Sequence, residues 1–286
     1  MKAGDAHAIM DTHARSFAPA TRLLPRAQRD MVARLYAICR IVDDLADCAE
    51  DRHWADARLR RIEEELRTHA PLDPVSQAAG DLFSGKPAGV HAFADLVAGV
   101  RSDLGTVRID DGRALTTYCS AVAGTVGIMI CVLFDVDARH HASADAMGRA
   151  MQLTNICRDV LEDARLGRRY LPATLCPHDP SEILSPDATI AEDVQNATAL
   201  LLDEAEALYE AGFAALDALP LRLRLAVSVA AYLYRGIGHR LHARNCDPLQ
   251  GRVRLPRTQK AALALSALPH ALCPPLANKS GGPTHA

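Results

Sequence analysis

Asp43-Asp44-Leu45-Ala46-Asp47 and Asp159-Val160-Leu161-Glu162-Asp163 each place two aspartates four residues apart inside an otherwise apolar run with helical spacing. On an α-helix, residues i and i+4 lie one above the other on a single face. Each stretch therefore aims two carboxylates at one spot, and two such pairs on facing helices make a cage of oxygen ligands. Mg²⁺ takes oxygen ligands and is commonly held by one or two carboxylates together with substrate phosphates. The pattern predicts a site for Mg²⁺, with Mn²⁺ as the alternative ion, and for a polyphosphate.

Both stretches extend into longer polar stripes. Ala33, Tyr36, Arg40, Asp43 and Asp47 follow one another at spacings of three, four, three and four, which keeps them on one helix face. Arg40 falls one turn from Asp43, where a guanidinium can clamp phosphate oxygens bidentately. For a lone pair of this kind the plainer reading is a surface helix on which Arg40 merely pairs with Asp43 or Asp44. Gln152, Asn155, Asp159 and Asp163 form the second stripe. A face of two amides and two carboxylates is costly to bury without partners, so it calls for metal, ligand or water. Arg158 is about 100° around the helix from Asp159 and can reach a phosphate at the rim. Glu162 points elsewhere and reads as a solvated charge. The loop Gly167-Arg168-Arg169-Tyr170-Leu171-Pro172 is basic, but exposed arginine pairs are usually just solvated.

The chain has 286 residues, 49% of them apolar and only 4% aromatic, with a formal net charge of -3. Alanine and leucine dominate, which favours helix, and no alternating strand pattern stands out. The length allows a sizeable core, and there is no basic surplus to suggest nucleic acid. The expected helices cover 30–48, 54–68, 90–104, 115–134, 143–163, 188–216 and 222–244. A loop is expected over 165–186. One all-α domain over 1–268 is expected, with a disordered tail over 269–286. None of the eight cysteines forms a C-x-x-C pair, so they read as reduced, buried small hydrophobes in a cytosolic protein. The apolar segment Ala121–Phe134 is shorter than the roughly 20 residues a membrane span takes, and residues 1–13 have no signal-peptide core.

Four segments in order carry a family resemblance. Gln152-Leu153-Thr154-Asn155-Ile156-Cys157-Arg158-Asp159-Val160-Leu161-Glu162-Asp163, followed by Gly167–Pro172, is similar to the signature of the squalene/phytoene synthase family. Tyr36-Ala37-Ile38-Cys39-Arg40 running into Asp43–Asp47 resembles its first aspartate motif. Tyr118-Cys119-Ser120-Ala121-Val122-Ala123-Gly124-Thr125-Val126-Gly127 resembles its central helix, and His13-Ala14-Arg15-Ser16-Phe17 its N-terminal flap. The resemblance implies an all-α isoprenoid-synthase bundle around an apolar cavity. It implies Mg²⁺-dependent head-to-head (1'-1) condensation of two prenyl diphosphates.

By the same resemblance, Asp43, Asp47, Asp159 and Asp163 fall on metal-binding positions. Asn155, Tyr118 and Tyr234 fall on catalytic-site positions. Arg40, Arg158, Ser16, Phe17 and Gln152 fall on substrate-binding positions. The family's C-terminal arginine is best matched by Arg252, with Arg254 as a rival because the spacing after Tyr234 differs by one. Ala14 stands where many relatives carry serine and receives no role.

The expected reaction runs through a cyclopropylcarbinyl diphosphate, with the apolar helix 121–134 walling the cation off from water. Gly124 and Gly127 would admit a chain closely, or simply allow tight helix packing. Ala33 lies about 15 Å along the helix from Asp43, at about 1.5 Å per residue. A small residue there, with Ala37 and Thr21 nearby, is expected to leave room for a twenty-carbon tail. That favours two geranylgeranyl diphosphates giving phytoene, a reaction with no expected need for NADPH. The alternatives are farnesyl diphosphate to presqualene diphosphate, squalene or dehydrosqualene, a non-catalytic assembly factor, and a cyclising terpene synthase. The substrates imply a cytoplasmic protein in peripheral contact with a membrane, and no nucleic-acid partner.

Overall fold

The computed structural model describes residues 3–13, 21–22 and 24–272. Its helices are α1 (Ala3–His13), α2 (Arg26–Asp47), α3 (Arg52–Thr68), α4 (Pro74–Leu82), α5 (Pro87–Arg101), α6 (Gly112–Cys119), α7 (Thr125–Leu133), α8 (His141–Arg165), α9 (Pro180–Ile183), α10 (Ala188–Phe213), α11 (Leu221–His242), α12 (Arg257–Ser266) and α13 (Leu268–Leu272). No strand occurs among the described residues; a single bridge joins Arg108 and Arg169. Aspartate starts many of the helices. Asp51, Asp73, Asp111 and Asp187 each accept a hydrogen bond from a backbone N–H of the first turn, satisfying donors that the helix leaves open.

The core has two main parts. One gathers α8, α10 and α11 around Leu153, Ile156, Val160, Leu201, Tyr209 and Phe213. The other gathers α2 to α5 with α7 around Ile38, Val42, Leu59, Phe93 and Met129. Helix α8 packs on α7, α10 and α11 and so runs through the centre of the bundle. This placement fixes the second aspartate stripe in the middle of the fold.

Helices α6 and α7 are joined by a π-helical segment, Ser120–Gly124. Together they make one continuous helix, Gly112–Leu133, of 22 residues, long and apolar enough by length and composition to cross a membrane. The apolar run Ala121–Phe134 is thus the second half of a longer helix, which in the fold packs between α5 and α8. Val122, Val126, Ile128, Ile130 and Val132 remain only partly buried although they pack against the core. They give the helix a partly open apolar flank. Gly124 and Gly148 allow the close approach to α8: a Cβ on Gly124 would strike the Asp145 side chain, and one on Gly148 would strike the Ala123 backbone. The packing reading of Gly124 and Gly127 is therefore the one that holds.

Several expectations need correction. Ala33 and Ala37 are fully buried against Ala6 and Met10 of α1. The space beside Ala33 is filled by a covering helix, and the tail-length argument built on it fails. The expected tail begins too early: α13 carries Pro269 in its first turn, where proline costs no hydrogen bond. Its Ala271 is buried, and the Tyr232 hydroxyl and His270 Nδ1 are 2.7 Å apart. The loop 165–186 contains the short α9, which starts at Pro180 with Asp179 and Glu182 forming a capping box. Cys48 is exposed rather than buried, while Cys119, Cys131, Cys157, Cys176 and Cys246 are buried free thiols; Cys273 lies outside the described residues.

Gly148→Val should lower stability by about 1–3 kcal/mol, the usual cost of overpacking a close contact. Chemical denaturation checks this, and an unchanged midpoint would show that α7 and α8 do not need the close approach.

Candidate active site

The two aspartate pairs are linked through the loop that follows α8. Arg168 is almost fully buried; its NH1 donates to Asp47 Oδ1 at 2.8 Å and its NH2 to the Asp103 carbonyl at 3.3 Å. Asp103, in the turn after α5, is 9% exposed. It accepts from the Tyr118 hydroxyl at 2.9 Å and from the Tyr170 hydroxyl at 2.9 Å. The rings of Tyr118 and Tyr170 stack with centroids 5.0 Å apart. Burial holds the Asp103 carboxyl above its ordinary range despite these two hydrogen bonds. Its charge is felt by Asp43 on one side and Asp163 on the other, so Asp103 stands between the two pairs.

Cations meet most of the acids. Arg158 Nε donates to Asp159 Oδ1 at 2.7 Å, and the Arg158 NH2 also contacts this carboxylate. Arg252 Nε lies 2.9 Å from the same Asp159 oxygen, and its NH2 donates to Oδ2 at 3.1 Å. Arg252, not Arg254, is thus the C-terminal arginine brought to the aspartates. Arg40 pairs with Asp44 at 2.5 Å, as the plainer reading of that helix allowed. Asp43 and Asp163 have no ion pair among the described residues. Burial, followed by the like charge of Asp47, pushes Asp43 up to about 7. Burial, followed by Asp159, pushes Asp163 up to about 8.

Asn155 donates to Gln152 Oε1 at 3.4 Å, but its own Oδ1 is buried and accepts nothing. A buried acceptor without a donor costs free energy unless something fills the gap. The site thus offers carboxylate and amide oxygens only, the donor type that Mg²⁺ prefers. Among the described residues, no three acidic, histidine or cysteine side chains converge on one point. Carboxylate oxygens on two helices and a buried amide oxygen without a donor fit Mg²⁺ whose remaining positions phosphate oxygens would fill.

Tyr234 on α11 is half-buried and close enough to Tyr36 and Arg158 for mutual electrostatic influence. Ser16 and Phe17 lie outside the described residues. Reading the sequence alone missed Asp103 and Tyr170 and took Arg168 and Arg169 for solvated charges. Both arginines are buried, and Arg169 is structural: its NH1 donates to the Cys176 carbonyl at 2.8 Å. Glu162 is also less solvated than expected, with one buried, unpartnered carboxylate oxygen.

The raised carboxyls make a pH prediction. Their folded values exceed the ordinary unfolded value of about 3.9. The stability they contribute is therefore complete below about pH 4 and lost as pH rises through 7 to 8. The metal-free melting temperature should fall over that window, and Asp163→Asn should flatten the fall. Added Mg²⁺ with inorganic pyrophosphate should raise the melting temperature more at pH 8 than at pH 6, since only ionised carboxylates bind metal. A variant profile superimposable on that of the wild type would contradict the coupling.

A sequence profile described as squalene/phytoene synthase matches residues 10–259. A phytoene synthase of Cereibacter sphaeroides is 34% identical over 93% of this chain and 79% of its own length. A 15-cis-phytoene synthase of Enterobacter agglomerans is 32% identical over 90% of this chain and 92% of its own. A presqualene diphosphate synthase of Rhodopseudomonas palustris is 30% identical over 87% and 91%. The chain spans 42% of the length of a chloroplastic phytoene synthase of Zea mays, at 36% identity over 57% of this chain. Among solved structures, a ligand-bound dehydrosqualene synthase superposes with a TM-score of 0.78 at 28% identity, covering 93% of this chain and 95% of that one. The chain belongs to the squalene/phytoene synthase family, a family of prenyltransferases.

Proposed function

We propose that this protein condenses two prenyl diphosphates head to head, and that the pair is two geranylgeranyl diphosphates giving phytoene. The observation that carries the reaction class is the juxtaposition at the site. Two aspartate pairs, an unpartnered Asn155 oxygen and Arg40, Arg158, Arg168 and Arg252 stand together at the centre of an all-α bundle. The helix Gly112–Leu133 lies inside that bundle with a half-open apolar flank. A polyphosphate headgroup suits the first set and a long hydrocarbon tail suits the second. The choice of phytoene rests on the relatives: two phytoene synthases match at 34% and 32% identity, the presqualene diphosphate synthase at 30%.

Asp43, Asp47, Asp159 and Asp163, with the Asn155 oxygen, would hold Mg²⁺. The ions would supply positive charge to the diphosphate as it departs. Arg158 and Arg252, now paired with Asp159, would turn to phosphate oxygens, and Arg40 would clamp from the first helix. Departure of the first diphosphate takes the C–O bonding pair and leaves an allylic cation. The double bond of the second chain attacks that carbon, and loss of one proton closes the cyclopropane. Departure of the second diphosphate, rearrangement and loss of a second proton complete the linear product with no external electrons. Squalene would instead need a hydride, hence NADPH.

The cation must be shielded from water, and Val122, Val126 and Ile130 supply the apolar wall. Asp103 fixes Tyr118 and Tyr170 by their hydroxyls. That holds two ring faces, which carry negative charge density, in place at the edge of the aspartate cluster. Such substrates partition into lipid, so we place the protein at the cytoplasmic face of a membrane. The exposed Leu221, Leu265, Leu268 and Leu272 support that contact.

The test is product analysis. Purified protein with Mg²⁺ and geranylgeranyl diphosphate should give phytoene without NADPH. Presqualene diphosphate, squalene or dehydrosqualene from farnesyl diphosphate alone would keep the reaction class and overturn the chain length. No turnover of either substrate would overturn the enzymatic reading.

A further inference from the structure

The charge of this chain is unevenly placed. No Asp or Glu follows Asp247 in the sequence, and between Asp217 and Leu272 that one aspartate stands against eight arginines and one lysine. The chain as a whole carries -3, so its acids gather in the rest of the molecule. Helices α12 and α13 lie in this basic part and run back along α11. Arg240 NH1 donates to Gln259 Oε1 at 3.0 Å, a Cβ on Gly236 would strike the Leu263 side chain, and the Tyr232 hydroxyl meets His270.

The outer side of this hairpin is apolar. No residue of α12 is buried. Arg257, Ala261 and Leu265, at spacings of four, share its exposed face, and the exposed Leu268 and Leu272 of α13 continue it. Leu221 stands one turn before Arg224, which donates to the Ala271 carbonyl at 3.5 Å, so it joins the same patch. Leu265 is 67% exposed and Leu272 58%. Soluble surfaces scatter single leucines among charges of both signs. Here four leucines gather on helices α12, α13 and the start of α11, which carry no acid, with the exposed Arg222, Arg254 and Arg257 beside them. A second copy on this patch would set the basic residues against themselves across a two-fold interface. Anionic lipid headgroups complement them, and the acyl boundary complements the leucines.

We propose that α12, α13 and the start of α11 form the face by which this protein lies on an anionic membrane. The leucines enter the headgroup–acyl boundary, and the arginines with Lys260 meet lipid phosphates. This deepens the membrane placement made above by naming the face and the lipid charge it depends on. The orientation also serves the site. Helix α11 carries Tyr234, and the segment leading into α12 brings Arg252 to Asp159, so the docked face is built on elements that reach the aspartate cluster.

The experiment is co-sedimentation of the full chain with vesicles of phosphatidylcholine alone, and of phosphatidylcholine mixed equally with phosphatidylglycerol. Binding should be about tenfold or more tighter to the anionic vesicles and should weaken as salt screens the charges. Leu265→Glu/Leu268→Glu and Arg254→Glu/Arg257→Glu should each weaken it by about tenfold or more. Leu72→Glu, at an exposed leucine in the loop after α3, should leave it unchanged, and circular dichroism checks that all variants fold. No binding, equal binding to both kinds of vesicle, or a double variant that binds as the wild type does would overturn the proposal. So would a dimer in solution that either double variant dissociates, which would give the patch to a second copy. Vesicle binding is read without turnover, so a failed product assay would leave this proposal standing.

Discussion

The burial of a cluster of aspartates, with their mutual repulsion adding to its cost, is the constraint on which the rest of this molecule depends. Asp43, Asp47, Asp103, Asp159 and Asp163 lie within electrostatic reach of their neighbours in the cluster. A buried charge is tolerated only when paired or bound by hydrogen bonds. The buried Arg168 takes the exposed Asp47, Asp159 takes Arg158 and Arg252, and Asp103 takes two tyrosine hydroxyls. Asp43 and Asp163 are left over, and they are the two acids of the metal motifs whose proton affinity burial raises. The unsatisfied part of the network thus coincides with the place where a divalent ion and a diphosphate would fit.

Such a cluster needs a stiff frame, and the frame bends its own rules close to the site. Asp159 leaves helical geometry within α8, at φ -105° and ψ 15°. The helix packed against α8 changes to π geometry over Ser120–Gly124, a device often found at functional sites. The turn Ser102–Leu104 places Asp103 between the pairs, and the buried Arg168 links it to α2. Each irregularity lies within the elements that deliver a side chain to the acidic centre.

The all-α class and the two aspartate stripes were legible because both follow a period of about 3.6 residues. Local spacing places Asp43, Asp47, Asn155, Asp159 and Asp163 on their faces without any tertiary information. Asp103 was not legible: one acid after a helix looks like any other, and its partners Tyr170 and Arg168 lie more than 60 residues away in sequence. Only the basic run after α8 hinted at that link, and solvation is the ordinary fate of such a run. The inference drawn from Ala33 failed for a tertiary reason as well. In the polar N-terminal segment only Ala6, Ile9 and Met10 mark an apolar face, too short to announce that α1 covers Ala33 and Ala37. Helix α4, nine residues long between Pro74 and Leu82, is absent from the expected helices because it is short and opens on a proline, which stands as readily in a loop as at a helix start.

The most direct test of the central claim, that both aspartate pairs hold one metal–diphosphate assembly, is calorimetric binding of an unreactive prenyl thiolodiphosphate with and without Mg²⁺. The wild type should bind only when Mg²⁺ is present. Asp43→Asn and Asp163→Asn should each weaken binding at least tenfold although they lie on different helices. Equal binding in EDTA, or a variant that binds as the wild type does, would contradict a shared site.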